Sequence, residues 1–122
     1  MKSLLIIGSV FAALSVLLGA FGAHALKNRL SIEYLAIFET AVRYQMYHAL
    51  GILLMGVASY YLTGKLVSTP AYFLISGIII FSGSLILLVF TNLKWFGALT
   101  PVGGLFLIIG WLLFAYNIYF YA

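Results

Sequence analysis

Seven polar residues have side chains whose chemistry could serve a function, and six of them lie within ten positions of one another. They are His24, Glu39, Thr40, Arg43, Tyr44, Gln45 and His48. Imidazole and carboxylate groups exchange protons, and a guanidinium group binds anions. Two hypotheses follow. These residues form either a proton-handling or ligand-binding pocket, or a polar clamp of hydrogen bonds that joins two helices.

The spacing of the cluster predicts a helix with these groups on neighbouring rows. Glu39 precedes Arg43 by four residues, the order that favours an ion pair along a helix. Thr40, Tyr44 and His48 repeat at the same spacing. We expect no metal or haem, because the two histidines fall in different helices and no H-x-x-x-H or E-x-x-H pair occurs. Hydrolase and nucleotide-binding motifs are also absent from the sequence, so no cofactor and no enzymatic activity are expected.

The elements around this cluster are predicted by the scarcity of charge. Residues 3–23, 44–64, 66–93 and 95–122 carry no formal charge. About 18 apolar residues suffice to cross the hydrocarbon core of a membrane as a helix. The sequence therefore predicts an all-α integral membrane protein with one domain, 1–122, and four transmembrane helices.

Composition agrees with a membrane protein and excludes other classes. Hydrophobic residues make up 66% of the chain and charged residues 7%. The net charge of +4 comes from single basic residues scattered along the loops, so no nucleic-acid-binding patch is predicted. The chain has no cysteine, which excludes disulfides and thiol chemistry. The N-terminal apolar run is longer than a signal-peptide core, and we expect it to be retained as the first span.

The spans are predicted at about 3–23, 40–62, 71–91 and 99–119, with an interfacial helical segment at about 32–39. Ser31 suits the N-cap of the second helix, and Pro70 suits the first turn of the third span. Four spans place both termini on one side. More basic residues follow the first and third spans, which favours those loops in the cytoplasm and both termini outside.

Small residues at seven-residue spacing predict how the helices pack. They are Gly8, Ser15, Gly22, Gly51, Ala58, Ser76, Gly83, Gly103 and Gly110. Small faces allow membrane helices to approach closely, and period seven favours left-handed crossing. The prediction is a compact left-handed four-helix transmembrane bundle. Within it the clamp is favoured over the pocket, because Glu39 and Arg43 lie shallow enough to reach lipid headgroups.

Several short motifs resemble those of a known family. They are 19–26 (GAFGAHAL), Thr40-Ala41, Tyr44-Gln45, 48–50 (HAL), 81–84 (FSGS), 99–104 (LTPVGG) and Gly110-Trp111. In this order they are similar to a family of small bacterial membrane proteins of unknown function, typified by YgdD and YwdK, with animal relatives. The resemblance implies four spans in the bacterial plasma membrane and brings no reaction, cofactor or catalytic residue. Glu39 and Arg43 are not part of the family pattern.

The function predicted from the sequence is a non-enzymatic membrane protein that acts through helix packing and contacts with lipids. A membrane-protein partner or a second copy of the chain is a further possible contact, and the effect would be on membrane organisation. Two alternatives remain open: a small oligomeric permeation unit, and a binder of an amphipathic ligand such as a lipid or quinone. The apolar run that follows His48 disfavours a permeation path.

Overall fold

The structure is a computed structural model that describes residues 2–122, and the described chain is helical with no strand. Helix α1 (Lys2–Leu17) continues through a π-helical segment (Leu18–Gly22) into helix α2 (Ala23–Leu26). Helices α3 (Ile32–Ala58), α4 (Gly64–Thr91) and α5 (Phe96–Tyr121) follow. Three helical stretches, Lys2–Leu26, Gly64–Thr91 and Phe96–Tyr121, are long and apolar enough to cross a membrane.

Local signals explain the helix ends. The Ser31 hydroxyl accepts a hydrogen bond from the Tyr34 N–H at 3.1 Å, which confirms it as the N-cap of α3. Helix α4 ends where Asn92 adopts a left-handed conformation, with φ of 57°. Asparagine tolerates this conformation better than other non-glycine residues, so it suits the end of a helix.

The predicted place of Pro70 in the first turn of the third helix is wrong. Helix α4 begins six residues earlier, at Gly64, and contains Pro70 in its interior. A proline has no N–H, so the Leu66 carbonyl loses its usual helical partner. The side chain of Asn117 from α5 donates to this carbonyl at 3.0 Å. The helix continues through the proline because a neighbouring helix supplies the missing donor.

The helices pack antiparallel in chain order. The extensive contacts join α1 to α3, α3 to α4, and α4 to α5. Helices α3 and α4 contribute most of the buried residues, whereas α1 and α5 leave much of their surface exposed. The main core cluster includes Leu4, Ile52, Leu74 and Leu107 at the end of the bundle where the described chain begins. A smaller cluster around Phe38 lies near the other end, and the buried polar residues of α3 and α4 lie between the two.

Most of the predicted small residues lie at helix contacts. A Cβ atom added to Gly8 would lie 2.8 Å from Leu53 Cγ, and one added to Gly110 would lie 2.7 Å from Leu74 Cδ2. Gly51 lies against the Trp111 ring and Gly22 against the Phe38 ring. Ser15 is buried in α1, and Ala58 packs at the edge of the main core.

The assignment of Ser76 and Gly83 to the packing face is wrong. Ser76 is exposed, and no heavy atom lies within 4 Å of the position that a Cβ of Gly83 would take. The glycine that α4 places against α5 is Gly77, where an added Cβ would lie 2.5 Å from Leu107 Cδ2. One residue rotates a helix by about 100°, so Ser76 and Gly77 face different surroundings.

Candidate functional site

The structure divides the predicted cluster into inward-facing and outward-facing residues. Gln45 and His48 are buried, and Thr40 is half-buried. His24, Glu39, Arg43 and Tyr44 are exposed. The seven residues therefore do not form one pocket, and the buried residues and the exposed residues have different contacts.

Gln45 joins α3 to α1. Its Nε2 donates to the main-chain carbonyl of Phe11 at 3.0 Å, and the Ser15 hydroxyl donates to the same carbonyl at 2.9 Å. Gln45 is 5% exposed, so its amide is withdrawn from lipid. This bond is the kind of contact that the clamp hypothesis requires, although its acceptor lies in the middle of the first helix.

His48 is held within its own helix. Its Nδ1 lies 2.7 Å from the Tyr44 carbonyl oxygen, which can only accept, so Nδ1 carries the proton and Nε2 is the acceptor in the neutral ring. The Tyr44 ring stacks on the imidazole with centroids 6.1 Å apart, and Trp111 of α5 lies at the same centroid distance. The structure does not join the two histidines of the predicted clamp. His24 is exposed, and Gln45 reaches Phe11 instead.

Tyr44 and Thr40 extend the cluster toward α4. The Tyr44 ring packs against Phe81 with centroids 4.7 Å apart. The Thr40 hydroxyl donates to the Ala36 carbonyl at 3.0 Å, a bond within α3. In the part of the chain that the structure describes, neither side chain is hydrogen-bonded to the His48 ring.

Glu39 and Arg43 line a groove between α3 and the π-helical segment. The groove has a volume of about 230 Å³, and its other lining residues are Gly19, Ala23, Phe38 and Val42. Within residues 2–122, no ion pair joins Glu39 to Arg43, so the predicted pair is wrong. Both charged side chains are exposed, which places them at the rim of the groove, and the other lining residues are apolar or small.

Sequence reasoning missed three other contacts between helices that are made by buried polar side chains. The Ser82 hydroxyl of α4 donates to the Ala41 carbonyl of α3 at 2.7 Å. Asn117 of α5 donates to the Leu66 carbonyl of α4, and the hydroxyls of Ser84 and Thr100 lie 2.7 Å apart. The sequence does contain a signal for the contact made by Asn117. An internal proline leaves an unpaired carbonyl, and a single asparagine in an apolar helix needs an acceptor.

Comparisons with known proteins agree with the resemblance seen in the sequence. The profile of a family described as "Protein of unknown function (DUF423)" matches residues 18–104. A UPF0382 membrane protein of Staphylococcus saprophyticus is 46% identical over 93% of this chain and 93% of its own length. The UPF0382 membrane protein YwdK of Bacillus subtilis is 42% identical over 93% of each chain. No solved structure matches the chain.

Proposed function

The chain belongs to the DUF423 family of membrane proteins of unknown function, and on this premise we propose that it is a non-enzymatic protein acting through helix packing and contacts with lipids or a membrane partner. It is a multi-pass protein of the bacterial cell membrane, with three helices long and apolar enough to span. The proposal extends this to a four-helix transmembrane bundle. It assigns the protein an effect on membrane organisation.

The packing of α3 on α1 supports a fourth span. Leu5 packs against Gly56 near one end of α1, and Gly22 packs against Phe38 near the other end of the same helical stretch. The two contacts are separated by about 26 Å along the first helix at 1.5 Å per residue. A helix that lies antiparallel to a spanning helix over this length crosses the same layer. Its lower hydropathy comes from the buried Gln45 and His48 and from charged residues in its first half, Glu33, Glu39 and Arg43, which are exposed.

The observation that carries the proposal is the use of buried polar side chains between helices. Gln45, Ser82 and Asn117 each donate to a main-chain carbonyl of the neighbouring helix. Such hydrogen bonds contribute about 0.6 kcal/mol on average in membrane proteins and fix which helices are neighbours. Polar groups engaged in this way stabilise the bundle and are not available to bind a transported solute.

The exposed surface supports contact with lipids or a partner as the mode of action. Leucine, isoleucine, valine and aromatic side chains are exposed on every helix that packs in the bundle. After His48, α3 continues with apolar residues on both its buried and its exposed faces, including Ala49, Leu50, Ile52 and Leu54. This apolar continuation supports packing and lipid contact over the permeation alternative.

A flux assay paired with extraction tests the proposal. The protein is reconstituted into liposomes that carry a pH gradient, and we expect the gradient to decay as slowly as in protein-free liposomes. Extraction into native lipid discs should recover specific lipids or a membrane protein with the chain, identified by mass spectrometry. Rapid decay of the gradient that the His48→Ala variant abolishes would overturn the proposal and favour permeation.

A further inference from the structure

The groove beside the π-helical segment combines an apolar floor with two opposite charges at its rim. Its floor is formed by Gly19 and Ala23 of the first helical stretch and by Phe38 and Val42 of α3. The small residues at positions 19 and 23 leave the space that a larger side chain would occupy. An apolar floor of this kind accommodates the glycerol region and the first methylene groups of a lipid.

The two charged side chains at the rim are available to a ligand. Glu39 and Arg43 are exposed and are not ion-paired with each other, although they stand one helical turn apart. A guanidinium group binds phosphate through parallel N–H donors, and a carboxylate accepts hydrogen bonds from an ammonium group. The rim therefore offers one site for an anion and an adjacent site for a cation that can donate hydrogen bonds.

The groove lies at the depth of lipid headgroups. Gly19 and Ala23 lie about 21 to 27 Å along the first helix from Leu5, which packs against the opposite end of α3. The hydrocarbon core is about 30 Å thick, so the groove lies near the membrane edge opposite Leu5.

We propose that this groove binds a phospholipid whose headgroup carries a primary ammonium group, with phosphatidylethanolamine as the test ligand. Arg43 binds the phosphate and Glu39 binds the ammonium, while the glycerol and upper acyl chains lie on the floor. The inference rests on the proposed function and names the lipid class that the protein contacts.

The charge pattern also predicts which lipids bind less well. The choline headgroup carries three methyl groups on its nitrogen and has no N–H to donate to Glu39. The glycerol headgroup of phosphatidylglycerol has no cation, so Glu39 has no oppositely charged partner and repels the net negative charge. Both lipids keep the phosphate that Arg43 binds. The expected order is therefore ethanolamine above choline and glycerol.

Native mass spectrometry of delipidated protein in detergent tests this order. The protein is titrated with the three phospholipids carrying identical acyl chains, and the wild type should prefer the ethanolamine lipid by about fivefold, the scale of one exposed ion pair. Glu39→Gln should remove this preference, and Arg43→Gln should weaken binding of all three lipids. Glu33→Gln and Arg29→Gln make the same charge changes at exposed positions outside the groove and should preserve the wild-type pattern.

A steric variant tests the groove independently of charge. Ala23→Leu should fill the floor and reduce binding of all three lipids, whereas Ala25→Leu, at an exposed position on the same helix, should not. Equal affinity of the wild type for the three lipids would overturn the inference, as would equal effects of Glu39→Gln and Glu33→Gln. If the pH-gradient result above still holds in that case, the headgroup site fails and the proposed function stands.

Discussion

Replacing Gly103 by alanine should force helices α4 and α5 apart. The new Cβ would lie 2.4 Å from the main-chain nitrogen of Phe81 and 2.7 Å from its Cα, whereas ordinary contacts begin at 3.4 Å. Both obstacles are backbone atoms, so a side-chain rotation cannot relieve the overlap. The helices must separate by about 1 Å, a gap that forfeits a quarter to a half of the dispersion energy of the contacting atoms.

The size of the effect follows from two opposing terms. Overpacking of a close contact typically costs about 1 to 3 kcal/mol. Alanine in place of glycine within a helix contributes about 0.5 to 1 kcal/mol in the opposite direction. Gly83→Ala makes the same chemical change in α4, where no atom lies within 4 Å of the new methyl group. Gly83→Ala should therefore show only the stabilising effect of replacing glycine by alanine within a helix.

The difference between Gly103→Ala and Gly83→Ala isolates the steric term. Unfolding in mixed micelles with increasing dodecyl sulfate, followed by the fluorescence of Trp95 and Trp111, measures the free energy of unfolding of each variant. We expect Gly103→Ala to be less stable than Gly83→Ala by about 1 to 3 kcal/mol. Equal stability of the two variants would refute the close approach of α5 to Phe81.

Three further predictions concern the polar contacts and the topology. Asn117→Ala should destabilise the protein by about 1 to 2 kcal/mol in the same unfolding assay, and by less in a Pro70→Ala background, because alanine restores the N–H that Leu66 lacks. An unchanged cost in that background would contradict the pairing. Gln45→Ala should cost about 0.6 to 1.7 kcal/mol, the range for hydrogen bonds between membrane helices, whereas His24→Ala should be close to neutral and additive with it. Cysteines introduced at the two chain termini should be labelled from the same face of the membrane, and labelling from opposite faces would contradict four spans.

The existence of the helices could be predicted from the sequence because it depends on simple quantities. The spacing of formal charges and the length of the apolar runs predict where membrane helices occur. Ser31 predicts the start of α3 through a local hydrogen bond. These signals involve residues close together in the chain, and no knowledge of the neighbouring helix is needed to interpret them.

The orientation of each helix about its axis could not be predicted in the same way. A helix of a soluble protein has an apolar buried face and a polar exposed face, but a membrane helix has apolar residues on both faces. Seven-residue spacing therefore selects Gly83 and Gly103 equally, although only Gly103 faces a neighbouring helix. The same ambiguity hides the packing role of Gly77, one residue from the exposed Ser76.

Hydrogen-bond partners between helices depend on register, which the sequence does not specify. The clamp hypothesis requires Gln45 and His48 to face the bundle, and both are buried. The acceptor of Gln45, the Phe11 carbonyl, could not be named, because any main-chain carbonyl of the first helix at the right depth would serve. The position of Pro70 inside α4 could not be predicted for the same reason, because the helix tolerates this proline only with a hydrogen-bond donor from α5.

Some polar side chains form hydrogen bonds between helices and others are exposed, and we expect the protein to act through the exposed ones. Inside the bundle, Gln45 and Asn117 are committed to carbonyls of neighbouring helices, so removing them should affect stability before any contact with lipid. The charged groups of Glu39 and Arg43 make no such contribution, since they are exposed and unpaired with each other at one edge of the membrane. A group that does not stabilise the fold is free to bind at the surface. Recognition is therefore expected at the edge formed by the π-helical segment and α3, and the remainder of the bundle holds that edge in place.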